Sequence, residues 1–325
     1  MTPKISVIIP LYNGGSWIKR AINSVISQTV QDFELIVIDD GSTDNSTSEV
    51  KKFTDERISL YSIDHKGVSF ARNLGVKKAQ SDLVAFLDAD DEWTNMHIET
   101  LLNLRRKYQQ AGIYLVNHIF KSDDNDNKNI NSIIEDDVLI PNFFTFNLKN
   151  DFIITSSVAL PKKIFNEMKG FNENVVWGED IDLWCRIALY YLVAYSHSVC
   201  TIVYKTGSWQ EKYNKRLSIT QEHPFIKSGS DSLNSSNLSE SIKNDVIKLI
   251  SRLKIISATN NIACSNFENA YKILKDMNND FFHWRKVYLI FWVYLSRIIG
   301  TKSSQILFYY SLPIMARISK FLDQK

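Results

Sequence analysis

With 325 residues, 44% of them hydrophobic and 23% charged, the chain can bury a sizeable core as one large domain or one domain plus an appendage. A formal net charge of +2 is too small to make nucleic acid the main partner. Three cysteines, Cys185, Cys200 and Cys264, lack metal-ligand spacing and read as reduced, packed thiols of a cytosolic protein.

The first apolar run, Ile5 to Leu11, is too short for a signal peptide and no cleavage-like site follows it, so secretion is not expected. Lys4 to Pro10 is nearly continuous in apolar residues, as in a strand buried on both faces. Trp17, Ile18, Ala21, Ile22, Val25 and Ile26 recur at helical spacing. Phe33 to Ile38 is a second strand, followed by the helix-start signal Ser42-Thr43-Asp44. Ile58 to Ile63 predicts a third strand, Val68 to Ala79 a helix, and Leu83 to Leu87 a fourth strand. Strands alternating with single helices imply right-handed crossovers and a mostly parallel α/β sheet. Ligands of such sheets bind beyond the carboxyl ends of the strands, here Pro10–Tyr12, Asp39–Gly41 and Asp88–Asp91.

Farther on, the Asp/Asn/Lys-rich stretch Ser122 to Ser132 reads as a surface loop, Phe152 to Leu160 as a strand and Ile181 to Ala188 as a helix. A Ser/Asn-rich linker is expected over 228–240, dividing a catalytic domain at 1–227 from a helical region at 241–325.

Asp88 and Asp90 lie two apart in an extended segment and so share a face. Clustered carboxylates repel unless a cation or a donor-rich ligand neutralises them. Magnesium and manganese favour such oxygen ligands together with substrate phosphates. The plain alternative is an acidic turn capping a helix that begins near Trp93. The position behind a buried strand, in register with two other polar strand ends, favours the ligand reading. In Asp39-Asp40-Gly41-Ser42 one carboxylate suits the ring N–H of a nucleobase and the other a turn cap; capping alone would also explain the pattern. Glu179, Asp180 and Asp182 stand at the start of an apolar helix, where the dipole keeps a carboxylate ionised, as suits a general base; N-terminal helix acidity alone is an equal explanation.

Four ordered motifs carry a resemblance: Ser6 to Asn13, Ile38 to Asp44, Gly67 to Asn73 and Phe86 to Asp91. Together they closely resemble the family 2 glycosyltransferases, over roughly the first two-thirds of the chain. The resemblance implies a GT-A, Rossmann-like sheet flanked by helices, with a C-terminal helical appendage. It implies an inverting, hexosyltransferase-like enzyme that uses a nucleotide-sugar donor, UDP-sugar favoured, with Mn2+ or Mg2+. Pro10, Tyr12 and Asp40 are then expected at the base and Arg72 near the donor. Asp90 is expected at the metal, Asp88 at ribose or metal, and Asp91 as a supporting ligand. The Glu-Asp element makes Asp180 the expected base and Glu179 the alternative, or a partner orienting the acceptor. Asp182 caps the helix or binds acceptor, and Trp177 is a further acceptor candidate. Relatives often carry a histidine after the following strand. Here Val203 to Trp209 has none, so Lys205 or a water is expected in its place. No Gln-X-X-Arg-Trp element occurs, which predicts addition of a single sugar.

Two alternatives stand beside this reading. A nucleotidyltransferase would want a basic phosphate loop after the first strand, which Asn13-Gly14-Gly15-Ser16 lacks; a non-catalytic carbohydrate-binding or scaffold protein has no need of Asp40, Asp88, Asp90 and Asp180 together. At the C-terminus, Phe281, Trp284, Tyr288, Trp292, Leu295 and Ile299 fall on one helical face, with His283, Lys286 and Arg297 opposite. Phe281 to Lys325 carries seven Lys/Arg against Asp323 alone, and its uncharged run is too short to span a bilayer. The helix suits either an anionic membrane interface or packing on the protein or a second copy. Relatives act on glycan or polyprenyl-linked acceptors in surface polysaccharide synthesis. By that analogy the expected location is the cytoplasm, at the inner face of the membrane.

Overall fold

A computed structural model of the chain describes residues 2–121, 136–149, 153–204, 219–234, 238–277, 283–305, 307, 308 and 311. The surface loop expected from Ser122 to Ser132 and Lys205, expected in place of the relatives' histidine, lie outside them. The chain divides into two compact units, one comprising 1–174 and 179–209, the other 175–178 and 210–325.

The first unit is built on a sheet whose strands are β1 (Ile5–Leu11), β2 (Phe33–Asp39), β3 (Ile58–Ser62), β4 (Leu83–Phe86), β5 (Glu92–Trp93), β6 (Ala111–Lys121), β7 (Val138–Ile140), β8 (Val158–Pro161) and β9 (Leu192–Tyr204). Helices α1 (Ile18–Ile26), α2 (Ser46–Val50), α3 (Val68–Lys78), α4 (His97–Lys107), α5 (Phe143–Lys149), α6 (Lys162–Glu167) and α7 (Glu179–Ala188) flank it. The order is β3-β2-β1-β4-β8-β6-β9-β5, with β7 paired to β9. β3, β2, β1 and β4 run parallel, as the alternation of strands and helices requires. β8 enters antiparallel between β4 and β6, so the second half of the sheet is mixed. β1 and β4 are buried on both faces almost throughout, which is why they read as continuous apolar runs. Their side chains join α1 and α4 in one core that includes Ile5, Val7, Ile9, Ile22, Leu83, Ala85 and Leu101.

Local structure departs from the sequence reading in three places. Trp93 belongs to a short strand paired with Thr201, and the helix starts only at His97. Of the strand expected over Phe152 to Leu160, the described part is a 3-10 turn, Thr155–Ser157, followed by β8. The expected linker is helical at its beginning: α8 spans Phe225–Leu233. The serines there satisfy themselves within the helix, Ser230 Oγ donating to the Ile226 carbonyl and Ser232 Oγ to that of Gly229. Phe225 and Ile226 are buried, so packing overrides a composition that resembles a linker.

The second unit continues with α9 (Glu240–Ala263), α10 (Phe267–Lys275) and α11 (His283–Ile299). α9 is capped by Ser239, whose hydroxyl accepts from Ile242 N. Ile255, Ile262, Phe267, Leu274, Leu289, Trp292 and Val293 form its core. The expected division of α11 into an apolar and a basic face does not hold. Lys286 is buried and donates from Nζ to the Met277 carbonyl at 2.8 Å. Val287, Phe291, Tyr294 and Ile298 instead form an exposed apolar stripe, with Ile298 80% exposed. Phe281 and the side chains of His283, Arg297 and Ile299 lie outside the described set. Among the described residues no helix is long and apolar enough to cross a membrane.

Candidate active site

The loops after β1 and β2 are stitched together by short polar side chains. Asn13 takes a left-handed φ of 48°, and its Oδ1 accepts from Thr43 N at 2.8 Å. Gly14 N donates to Ser46 Oγ, and Gly15 N to Asp44 Oδ2. Asp39 caps the turn, accepting from Ser42 N and Thr47 Oγ1. Asp40 is buried; its carboxylate accepts the backbone N–H of Lys66 at 2.7 Å and of Gly67 at 2.8 Å. Gly41 is required here: its φ is +76°, and a Cβ would lie 2.9 Å from His65 N. Asp40 is therefore an anchor for the segment beyond β3, and any contact it makes with a base is additional to that task. Pro10 is half-buried at the end of β1, and Tyr12 is 49% exposed beyond it.

Tyr12 does not stand alone. The His65 ring stacks on it with centroids 4.2 Å apart, while His65 Nδ1 lies 2.9 Å from Asp40 Oδ2. His65 was missed in the sequence although the signal was there: Asp64-His65-Lys66-Gly67 follows the third parallel strand, whose carboxyl end lies on the same edge as the others.

The second group of carboxylates converges on Arg72. From α3 this side chain, 5% exposed, reaches Asp88 Oδ1 with Nη2 at 2.8 Å and Glu179 Oε1 with Nη1 at 2.9 Å. The ring of Phe171 lies 5.3 Å from its guanidinium carbon. Although burial disfavours its charge, Asp88, Glu179 and Asp180 together raise its pKa, so it stays a cation. Burial raises the pKa of Glu179, the Asp180 charge adds to this, and Arg72 opposes both. Arg72, expected near the donor, is thus the counter-ion of the two acidic motifs.

Asp180 is held differently. Its Oδ2 accepts from Thr155 Oγ1 at 3.0 Å and its Oδ1 from Ile181 N at 2.7 Å. The adjacent Ser156 fastens the loop after β4: its Oγ accepts from Asp88 N at 3.0 Å and donates to Asp91 Oδ2 at 2.5 Å. Trp93 Nε1 donates to the Ser156 carbonyl at 2.7 Å, and Arg20 Nη2 to the Asp90 carbonyl at 2.7 Å. Thr155, Ser156 and Arg20 carry no sequence signal of their own, because their partners are distant in the chain.

Three of the expected site residues are buried and have partners within the protein. Asp91 is buried and accepts from Ser156 Oγ, which braces the loop. Asp182 is buried and paired one turn along with Arg186 Nε at 2.8 Å. Trp177 is 7% exposed, donates from Nε1 to the Gln221 carbonyl and meets the His223 ring edge-on, so its face is not an open platform for sugar.

No cluster of three or more His, Cys, Asp or Glu among the described residues has metal-holding geometry. The carboxylates of Asp88 and Asp90 are oxygen donors of the kind that a hard divalent ion takes. One Asp88 oxygen is taken by Arg72, and the side chain stays 30% exposed.

Residues 6–168, about half of the chain, match the model for glycosyl transferase family 2, and the chain belongs to that family. It is 36% identical over 193 residues to an uncharacterized glycosyltransferase of Rickettsia bellii, covering 57% of this chain and 26% of that protein. The chain thus spans about a quarter of that relative's length. It is also 36% identical over 186 residues to the UDP-Glc:alpha-D-GlcNAc-diphosphoundecaprenol beta-1,3-glucosyltransferase WfgD of Escherichia coli, covering 56% of this chain and 69% of WfgD. Among solved structures, S. aureus TarS 1-349 in complex with UDP-GlcNAc superposes with a TM-score of 0.68 at 16% identity, over 95% of this chain and 91% of that one. The mannosyltransferase PcManGT of Pyrobaculum calidifontis, in complex with GDP-Man and Mn2+, gives 0.59 at 16% identity over 100% and 89%. The fold is GT-A, a central sheet flanked by helices.

Proposed function

We propose that the chain is an inverting, metal-dependent glycosyltransferase that moves one sugar from a UDP-sugar to a polyprenyl-linked or other glycan acceptor in surface polysaccharide synthesis. The observation that carries this reading is the Arg72 bridge. It joins Asp88, at the end of a strand, to Glu179, in a helix about ninety residues later, next to Asp180 in the chain.

In this reading Asp180 accepts the proton of an acceptor hydroxyl as that oxygen bonds to the anomeric carbon. Attack comes from the face opposite the diphosphate. The bond from carbon to diphosphate oxygen breaks, and its electron pair leaves with the nucleoside diphosphate. Glu179, fixed on Arg72, is the counter-ion rather than the base. Tyr12 and His65 offer aromatic faces for the base, with Asp40 behind them. Asp90 and Asp88 would hold a magnesium or manganese ion, which when bound supplies charge stabilisation to the leaving diphosphate. The donor complexes of TarS and PcManGT support a nucleotide-sugar, and the name of WfgD supports a lipid-linked acceptor.

The same reading puts the protein at the cytoplasmic face of the membrane, where a polyprenyl-linked acceptor is anchored. The exposed stripe of α11 and the excess of Lys/Arg after residue 280, apart from the buried Lys286, support that placement. Flotation with vesicles containing anionic lipid tests it: Phe291→Glu and Ile298→Glu together should release the protein, and unchanged flotation rules the stripe out.

The donor reading is tested by titrating UDP-glucose, UDP-GlcNAc, GDP-mannose and free UDP with and without Mn2+. Metal-dependent binding of one donor, lost in Asp90→Ala, is expected. Folded protein that binds none of them overturns the reading in favour of a scaffold.

A further inference from the structure

Asp180 is a half-buried carboxylate at the first turn of α7, where Ile181 N of the same helix holds Oδ1 at 2.7 Å. Its Oδ2 is met from another part of the chain by Thr155, which is buried in the 3-10 turn before β8. The turn cannot drift. Ser157 N closes it onto the Ile154 carbonyl at 2.9 Å, and Trp93 Nε1 and Thr201 Oγ1 both donate to the Ser156 carbonyl. On its other side Ser156 Oγ binds Asp91 and the N–H of Asp88. One peptide therefore separates the hydroxyl on Asp180 from the hydroxyl on the Asp88–Asp91 loop.

We infer that Thr155 is a positioning residue for the transfer: its hydroxyl fixes the Asp180 carboxylate at a set distance from the donor-side acids. This rests on the reading of Asp180 as the base. A base, its orienting partner and the group it deprotonates must be aligned together, and a small misplacement of the base slows the chemical step while leaving donor binding intact. A buried threonine with a purely structural task would show the opposite split, losing stability and donor affinity together.

The test measures UDP release from the donor selected above, with Mn2+ and GlcNAc-diphosphoundecaprenol as acceptor. Thr155→Val removes the hydroxyl at nearly constant volume. It should lower kcat by about 30-fold while KM for the donor stays within about twofold. Thr155→Ser, which restores the hydroxyl, should return kcat to within about threefold of the original. In an Asp180→Asn background Thr155→Val should change the residual rate by less than about twofold, because its partner is already neutral. Donor titration of Thr155→Val reports folding independently of turnover. Unchanged kcat in a folded Thr155→Val, no rescue by serine, or an undiminished loss in the Asp180→Asn background each overturns the inference. If Asp180→Asn keeps full activity, or the unaltered chain turns over no donor, the base reading falls and this inference with it. If Asp180→Asn is inactive and Thr155→Val is not impaired, only the inference falls.

Discussion

The acidic turn after β2 and the acidic turn after β4 carry similar residues and are neutralised by different means. Asp39 and Asp40 spend their oxygens mainly on the N–H groups of Ser42, Lys66 and Gly67 and the hydroxyl of Thr47, with His65 Nδ1 also against Asp40. Asp88 shares a single buried cation with Glu179, and the rest of its loop is braced by Ser156 and Arg20. Backbone donors are fixed by the fold and cannot leave, so the first turn is a rigid frame. A shared cation ties together two elements distant in the chain, the turn after β4 and the helix that bears Asp180.

Removing that cation should break the contrast most sharply. Arg72→Met leaves Glu179 largely buried without its cation, with the partly exposed Asp88 nearby, and loss of one partner of a buried pair costs about 3–5 kcal/mol. Urea unfolding should show a loss of that size; a loss below about 1 kcal/mol would mean that the carboxylates are neutralised by other groups. The first turn should respond less. Asp40→Asn exchanges an acceptor for an N–H facing backbone N–H groups, at a cost of about 2 kcal/mol by the same measurement. That loss should be insensitive to Mn2+, unlike the effects of Asp90→Ala.

The smallest expected effect is pH-dependent and belongs to the support of the second turn. His97 is fully buried, stacked 3.8 Å on Trp93, with Nδ1 against the Cys200 carbonyl. Burial lowers its pKa to about 3, with the Cys200 bond opposing weakly. The folded state keeps this ring neutral, whereas the unfolded chain protonates it below an ordinary pKa of about 6.5. Its contribution is therefore intact above about pH 6.5 and is lost progressively as pH falls toward 3. One unit below the unfolded value the loss is about 1.4 kcal/mol. Urea midpoints at pH 7.5 and 5.5 should differ accordingly, and His97→Gln should flatten the difference.

How much of this was legible follows from where the partners lie. β1 to β4, α1 and α3 could be read because continuous apolar runs and helical spacing are local. The three strand-end stretches followed from parallel topology, and the same rule, applied to the third strand, would have reached His65. Asp91 and Asp182 looked equivalent to their neighbours because sequence spacing does not show which carboxylate faces inward; the deciding partners are Ser156, 65 residues away, and Arg186, only four away. Arg186 could have been read, since an Asp-Arg pair at i,i+4 is a helix signal in itself. Thr155 and Ser156 could not, because two small hydroxyls before a strand have no pattern until the sheet brings them under the acidic loop. On α11 the periodicity was sound and its phase was misjudged: a helix apolar on more than one side gives no local clue to which side is buried.

The central claim is that Asp180 takes the acceptor proton while the donor is held elsewhere. Donor titration and single-turnover transfer with Asp180→Asn test it most directly. The account predicts that the donor dissociation constant stays within about threefold and that transfer falls by about a thousandfold. Transfer at an undiminished rate with Asp180→Asn would contradict it.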